Sequence, residues 1–392
     1  MSEPPPLPKL AVKLGWVSLL NDAATEMVYP ILPLFLASGL GAPAAAIGLI
    51  EGCAEALVSV LKGTSGRWSD LSGRRAPYVQ WGYGLAAASK PVLAAAPTWP
   101  LVLAARLLDR LGKGIRTTAR DAMLADVIEP GQGGRVFGYH RGMDTTGAVI
   151  GVLGAWGLLQ LLPHQYRTIL LISTGPAILS TLLTFAVQDP PHEARPAPAS
   201  GAVPWRSFPV TYWWTLAVLL VFALANSSDA FLLLRAHAEG FSDSHVILGY
   251  ALYQFTYALV SYPAGVLSDR IGRWTVMAVG WLIYALVYIG FAHAPAGWLW
   301  ALFAIYGIYM GITDGVGKAL MVDTVPKQWK GTGLGVLHMS LGFAGLSSSV
   351  IAVLLWDHVS PAAPFWVGGV TALLAVLLIP LARNRSTRSE VV

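Results

Sequence analysis

Apolar runs of roughly 20 residues, the length an α-helix needs to cross a bilayer, recur along almost the whole of this 392-residue chain. Hydropathy and turn signals place them at 14–38, 44–64, 78–96, 100–122, 136–161 and 168–187, then at 210–236, 246–266, 275–293, 298–322, 333–356 and 364–382. A soluble protein with one large core does not need so many spans of bilayer length. The composition agrees: 55% of residues are hydrophobic and 12% charged, against about 25% charged in soluble domains. Fifteen Trp and 41 Gly suit helices that anchor at lipid interfaces and pack closely. Between the two sets lies Gln188–Pro209, rich in Pro and Ala, which reads as a linker. The expected architecture is an all-α integral membrane protein of twelve transmembrane helices: a six-helix bundle over 1–187, a linker over 188–209 and a second six-helix bundle over 210–392.

Basic residues in the short loops orient the chain. With the N-terminus in the cytoplasm, the inside segments hold Lys9, Lys13, Arg67, Arg74, Arg75, Lys113, Arg116, Arg120, Arg135, Arg195, Arg206, Arg270, Arg273, Lys327, Lys330, Arg383, Arg385 and Arg388. The outside loops hold essentially Arg167, with Arg235 at a helix end. Both termini and the linker are therefore expected in the cytoplasm, and the protein in the cytoplasmic (inner) membrane. The N-terminal segment lacks the basic-then-apolar pattern of a cleaved signal peptide, so the first span is expected to serve as the insertion signal. The net charge of +5 is spread over helix ends rather than gathered on one patch, which argues against nucleic acid as a partner. A single cysteine, Cys53, allows neither an internal disulfide nor a Cys-based metal site.

The chain contains a repeat. Gly66-Arg67-Trp68-Ser69-Asp70-Leu71-Ser72-Gly73-Arg74 follows the second span, and Gly265-Val266-Leu267-Ser268-Asp269-Arg270-Ile271-Gly272-Arg273 follows the eighth, about 199 positions later. Gly, Ser, Asp, Gly and Arg match in place. After the fourth and tenth spans, Ala122, Asp126, Gly134 and Gly138 are answered by Ala319, Asp323, Gly331 and Gly335. Duplication of a six-helix unit explains both, and parallel repeats of this kind build transporters with a site between the halves. The G-x-x-S-D-x-x-G-R pattern resembles the signature loop of the major facilitator superfamily, and the resemblance covers nearly the whole chain. It implies rocking of two bundles about a central substrate site. The gate motif of that reading comprises Gly66, Asp70, Gly73 and Arg74 in one half and Gly265, Asp269, Arg270, Gly272 and Arg273 in the other. Asp70 and Asp269 are expected near a helix start, where a carboxylate is favoured by the dipole, as parts of a latch.

Ionisable residues within spans are costly, by roughly 3 kcal/mol on insertion scales, so they face a cavity or a partner. Asp22 and Glu26, Glu51 and Glu55, and Arg106 and Arg110 are pairs four residues apart, each on one helix face. An acidic face on spans one and two meeting a basic face on span four, with Asp109, is the simplest arrangement. It resembles proton-coupled members of that family. The candidate proton-coupling and cavity residues are Asp22, Glu26, Glu51, Glu55, Arg106, Asp109, Arg110, Asp229 and Asp314. Lys90 and the two span-four arginines also suit an anionic substrate. Asp144, Arg141 and Lys113 lie nearer the cytoplasmic end, where snorkelling accounts for them. Asp314 and Lys318, four apart, neutralise each other on the simplest reading, and His338 reads as a helix-packing residue. Tyr253 and Tyr257, one turn apart, line either a cavity or lipid. Gly138, Gly147, Gly151 and Gly154 resemble the glycine motif of the family's antiporters, but Val152 stands where that motif has Pro. Close helix packing explains them equally.

No phosphate loop, no zinc-hydrolase H-E-x-x-H and no G-x-S-x-G nucleophile motif occurs. The expectation is a transporter rather than an enzyme, without cofactor or bound metal, driven by the proton gradient and working as a monomer in the bilayer. Export of a small organic molecule against proton entry is the first reading. Proton-coupled import of a sugar, organic acid or metal chelate, or a non-transporting membrane sensor, are the alternatives.

Overall fold

The computed structural model describes residues 6–189, 205–293 and 295–389, which are helical with no strand among them. Most of the expected linker, including Arg195, lies outside the described residues. In the first half run α1 (Lys9–Val28), α2 (Ile31–Leu34), α3 (Ala44–Ser72), α4 (Ala76–Ala95), α5 (Trp99–Asp126), α6 (Gly133–Leu161), α7 (Tyr166–Ile172) and α8 (Thr174–Thr184). In the second run α9 (Val210–Ala225), α10 (Ala230–Ala238), α11 (Asp243–Ile271), α12 (Arg273–His293), α13 (Ala296–Thr324), α14 (Lys330–His358) and α15 (Ala363–Ser389). These make twelve bilayer-length units, because three of the spans are interrupted. Seven of them are apolar enough to cross a membrane on composition alone. The others, α1, α3, α4, α5 and α11, carry the interior polar and charged residues.

The interruptions have local causes. Pro30, which has no N–H to give, ends α1 and is followed by α2 and a π turn at Phe35–Gly39. Pro176 does the same near the junction of α7 and α8. In span seven the chain leaves helical geometry between Ala225 and Ala230. The breaks in spans one and seven fall at equivalent places in the two halves, Tyr29–Pro30 and Asn226–Asp229. Interrupted helices in membranes are tolerated where they line a cavity or are buried in protein.

Within the first half α1 packs on α6 and α8, and α5 on α3 and α4; within the second, α13 packs on α11 and α12, and α15 on α9 and α12. The halves meet along α6 with α11 and α13, and along α14 with α3 and α5. Small residues set the closest of these approaches. A Cβ on Gly147 of α6 would stand 2.0 Å from the Leu19 carbonyl of α1, and one on Gly265 of α11 would stand 2.1 Å from the Gly134 carbonyl of α6. Large apolar side chains such as Trp81, Leu286 and Leu377 are left on the outside, the arrangement of a multi-pass membrane protein.

The two repeat loops lie at one end of the molecule, here called the motif face. Gly73 (φ 64°) closes α3 and Gly272 (φ 94°) closes α11, in the left-handed region that glycine occupies without strain. α12 starts at once at Arg273, whereas α4 starts only at Ala76. That difference in loop length shifts the register of the basic residues between the halves.

Candidate functional site

A cavity of about 490 Å³ lies between the halves, within the range of small-molecule sites. It is lined from the first half by α1, α3, α5 and α6, and from the second by α9 and α11 to α14. Asp22 and Glu26 present one face of α1 to it. Asn21 Nδ2 donates to Asp22 Oδ1 at 3.4 Å, and the Tyr250 hydroxyl, from the other half, donates to Glu26 Oε2 at 3.2 Å. Among the described residues neither carboxylate has a cation within ion-pair distance. The sequence suggests that they meet the arginines of span four; the structure gives those arginines to span two.

Arg106 donates from Nε and Nη2 to Glu51 at 2.8–3.2 Å. Arg110 lies 3.9 Å from Glu55 and 3.6 Å from Asp109, and Lys90 Nζ donates to Asp109 at 3.0 Å. Glu51, Glu55, Arg106, Asp109 and Arg110 therefore form a paired network beside the cavity rather than on its wall. It ties α3, α4 and α5 together.

Deeper charges cross between the halves. Asp121 of α5 is fully buried; Arg120 donates to its Oδ1 at 3.0 and 3.1 Å, Lys318 of α13 lies 3.4 Å from its Oδ2, and His338 Nε2 of α14 lies 3.0 Å from the same oxygen. Arg141 of α6 pairs with Asp144 at 2.5 Å and with Asp314 of α13, which also accepts from the Tyr257 hydroxyl. Ser18 Oγ donates to Asp144 at 2.5 Å. Asp314 and Lys318 thus each reach across to the first half and do not neutralise each other. Arg141, Asp144 and Lys113, which snorkelling would carry to the membrane surface, line the cavity instead, as do Lys62, Arg116, Arg120 and His338.

The second half supplies an aromatic wall. Phe222, Tyr253, Tyr257, Trp281 and Tyr309 line the cavity, with Phe222 stacked on Trp281 at 4.7 Å and Tyr253 on Tyr257 at 6.1 Å. Asp229 stands behind this wall at the break in span seven. It accepts from the hydroxyls of Tyr306 at 2.6 Å and Tyr253 at 3.1 Å. Asn226, at the same break, lines the cavity with its Oδ1 buried and without a hydrogen-bond partner.

At the motif face each half caps a helix of the other. Asp70 accepts from the backbone N–H of Gly331 (3.0 Å) and Thr332 (2.5 Å) at the start of α14, and from the Thr332 hydroxyl (2.8 Å). Asp269 accepts from the N–H of Gly134 (2.9 Å) and Arg135 (2.8 Å) at the start of α6. Both carboxylates meet the positive end of a helix dipole. Arg273 pairs with Asp269 at 2.8 Å and with Asp323. In the first half it is Arg75, fully buried, that pairs with Asp70 (3.1 Å) and Asp126 (2.8 Å), while Arg74, its match by sequence, is exposed. Arg270 is exposed as well. Gly66 faces Gly331 as Gly265 faces Gly134, with room for no side chain.

Residues 14–250 and 230–391 each match the family model of the Major Facilitator Superfamily. An uncharacterized MFS-type transporter of Methanocaldococcus jannaschii is 32% identical over 384 residues, covering 95% of this chain and 94% of that protein. An uncharacterized protein of Mycobacterium tuberculosis is 27% identical over 362 residues, covering 88% and 85%. Two solved structures share the fold. The human organic anion transporter MFSD10 superposes with a TM-score of 0.79 at 18% identity, over 96% of this chain and 100% of that one. The Escherichia coli fucose:proton symporter FucP does so with 0.77 at 14% identity, over 95% and 98%.

Proposed function

This chain belongs to the major facilitator superfamily, and on that premise we propose that it is a proton-coupled secondary transporter. A small organic molecule passes through the central cavity by alternating access, and Asp22 and Glu26 exchange the proton. One observation carries this reading. Glu51, Glu55, Asp109, Asp121 and Asp144 each have a cationic partner, whereas Asp22 and Glu26 face the cavity with hydrogen-bond donors only. A carboxylate held by a fixed cation keeps its charge through the cycle; one held by neutral donors can give and take a proton as its surroundings change.

The bias of Lys and Arg places the motif face and both termini in the cytoplasm of an inner-membrane protein. The sealed motif face is then the cytoplasmic gate, closed by Asp70 on α14 and Asp269 on α6. The sense of coupling follows from the substrate's charge. A cation displaces the proton from Asp22 and Glu26 and is exported against proton entry, the first expectation from the sequence. An anion recruits the proton and travels with it.

Proteoliposomes test the reading. With a pH gradient imposed, the wild-type protein is expected to move protons and substrate together or in exchange, against the substrate gradient. The Asp22→Asn, Glu26→Gln double variant is expected to lose that uphill flux while still exchanging substrate across the membrane at equal pH. Undiminished pH-driven flux in the double variant contradicts the assignment.

A further inference from the structure

Six cations line the cavity, and three of them are spoken for: Arg120, Arg141 and Lys318 are held by Asp121, Asp144 and Asp314. The other three are Lys62 of α3 and Lys113 and Arg116 of α5. Among the described residues no carboxylate lies within ion-pair distance of them. Arg116 is only 5% exposed. Its guanidinium lies 4.3 Å from the centre of the Tyr83 ring, and Nε and Nη1 are buried without a hydrogen-bond partner. A guanidinium has five donors to satisfy, and leaving them unmet away from water is costly. Lys62 lies in the field of two like charges, Lys113 and Lys318, and of two carboxylates beyond ion-pair distance, Glu55 and Asp121, the latter already gathering Arg120, Lys318 and His338. Glu55, the acid on its own helix, already serves Arg110. Cations gathered on one wall of a cavity repel one another, and an anion among them reverses the sign of that energy.

We propose that Lys62, Lys113 and Arg116 form the subsite for an anionic group on the transported molecule, a carboxylate, sulfonate or phosphate, whose flat apolar body lies against the wall of Phe222, Tyr257 and Trp281. The inference rests on the transport reading and supplies its substrate class. It also fixes the sense of coupling. Lys113 acts on both Asp22 and Glu26; the other groups facing that pair are Tyr29 beside α1, Arg110 and Arg116 of α5, Arg141 and Asp144 of α6 and Tyr250 of α11. An anion seated on Lys113 cancels the field that this cation exerts on the two carboxylates and adds its own repulsion, and a proton restores the balance. Anion and proton are therefore bound together and move in the same direction, the reverse of the exchange that the sequence favours.

Calorimetry on the purified full-length protein in lipid nanodiscs tests the site without a gradient. The probes are benzoate, benzenesulfonate and phenyl phosphate, with benzamide as the neutral control. At least one of the anions is expected to bind about tenfold or more tightly than benzamide, and Lys62→Gln and Arg116→Gln each to weaken that anion about tenfold with benzamide unchanged. Lys62 is half-buried, so its variant tests the site even if Arg116→Gln fails to fold; Lys62→Arg is expected to restore binding. No anion preferred over benzamide, or a preference that persists in both glutamine variants, overturns the site. Titration in two buffers of different ionisation heat is expected to show proton uptake with the anion, lost in the Asp22→Asn, Glu26→Gln variant while anion binding persists. Proton release on anion binding overturns the sense of coupling. Anion preference without any linked proton sinks the proton assignment and leaves the site standing; pH-driven flux without anion preference does the opposite.

Discussion

Leucine in place of Gly265 is expected to abolish transport by holding the two halves apart at the motif face. A Cβ there meets the Gly134 carbonyl at 2.1 Å and the Gly138 Cα at 3.2 Å, and both are backbone atoms that cannot swing aside. Overpacking of this kind costs on the order of 1–3 kcal/mol for the first methylenes alone. Because the strain falls on the closed arrangement only, it reduces that state about 5-fold to 150-fold against one in which α6 and α11 have parted. The Asp269 caps on Gly134 and Arg135 are lost with it. Substrate flux in proteoliposomes is expected to fall at least in proportion, and thiol reagents to reach cysteines placed at the motif face. Gly157→Leu, where nothing lies within 4 Å of the added carbon, serves as the control. Normal flux in Gly265→Leu would mean that closure at this face is not part of the cycle.

Asp121→Asn is expected to have an effect of similar size by a different route. Asp121 is fully buried and gathers Arg120 from its own helix, Lys318 from α13 and His338 from α14. Amidation keeps the shape and removes the charge, leaving buried Lys318 with no anion within ion-pair distance among the described residues and Arg120 with only Asp144, 3.9 Å away. Breaking a buried ion pair from one side costs about 3–5 kcal/mol. The loss is expected as a lower unfolding midpoint in detergent and as loss of transport. His338→Gln keeps a donor for Asp121 and removes no anion, so it is expected to cost on the order of 1 kcal/mol. Equal effects of the two substitutions would show that the charge on Asp121 is not what joins α5 to α13 and α14.

The twelve spans and the duplication were legible because they depend on local properties, apolar length and repeated loop residues. Asp22 and Glu26 could be picked out for the same reason: two acids one turn apart on an apolar helix must share a face, and that face must be wet or paired. The partners they lack were not legible. Glu51 and Glu55 compete for the same arginines, and only the packing of α3 on α5 decides the competition in their favour. Arg116 and Arg120 count among the cytoplasmic loop charges on sequence, and Lys62 and Asp121 draw no reading there, because nothing local marks them as cavity residues; α3 runs on to Ser72 and α5 to Asp126. The partners that gather on Asp121, Lys318 and His338, come from α13 and α14, some 200 residues away in the chain. Asp314 and Lys318 mislead in the opposite way: at helical spacing they suit each other, yet each finds a better partner across the interface. Arg75 displaces Arg74 because the first repeat loop is longer than the second. In span one the break is announced by Pro30; the one at Asn226–Asp229 has no proline to betray it.

Alternating access driven by a proton on Asp22 and Glu26 is tested most directly by a distance across the motif face. Arg74 and Gln328 are exposed on opposite halves at that face. With the exposed Cys53 replaced by Ser, spin labels at these two positions report the separation of the halves in lipid. The prediction is two distances, the shorter one corresponding to the sealed face described above. Their ratio is expected to shift as the pH is lowered in the wild-type background and to stay fixed in the Asp22→Asn, Glu26→Gln variant. A single distance at every pH, or the same pH-dependent shift in the double variant, would contradict it.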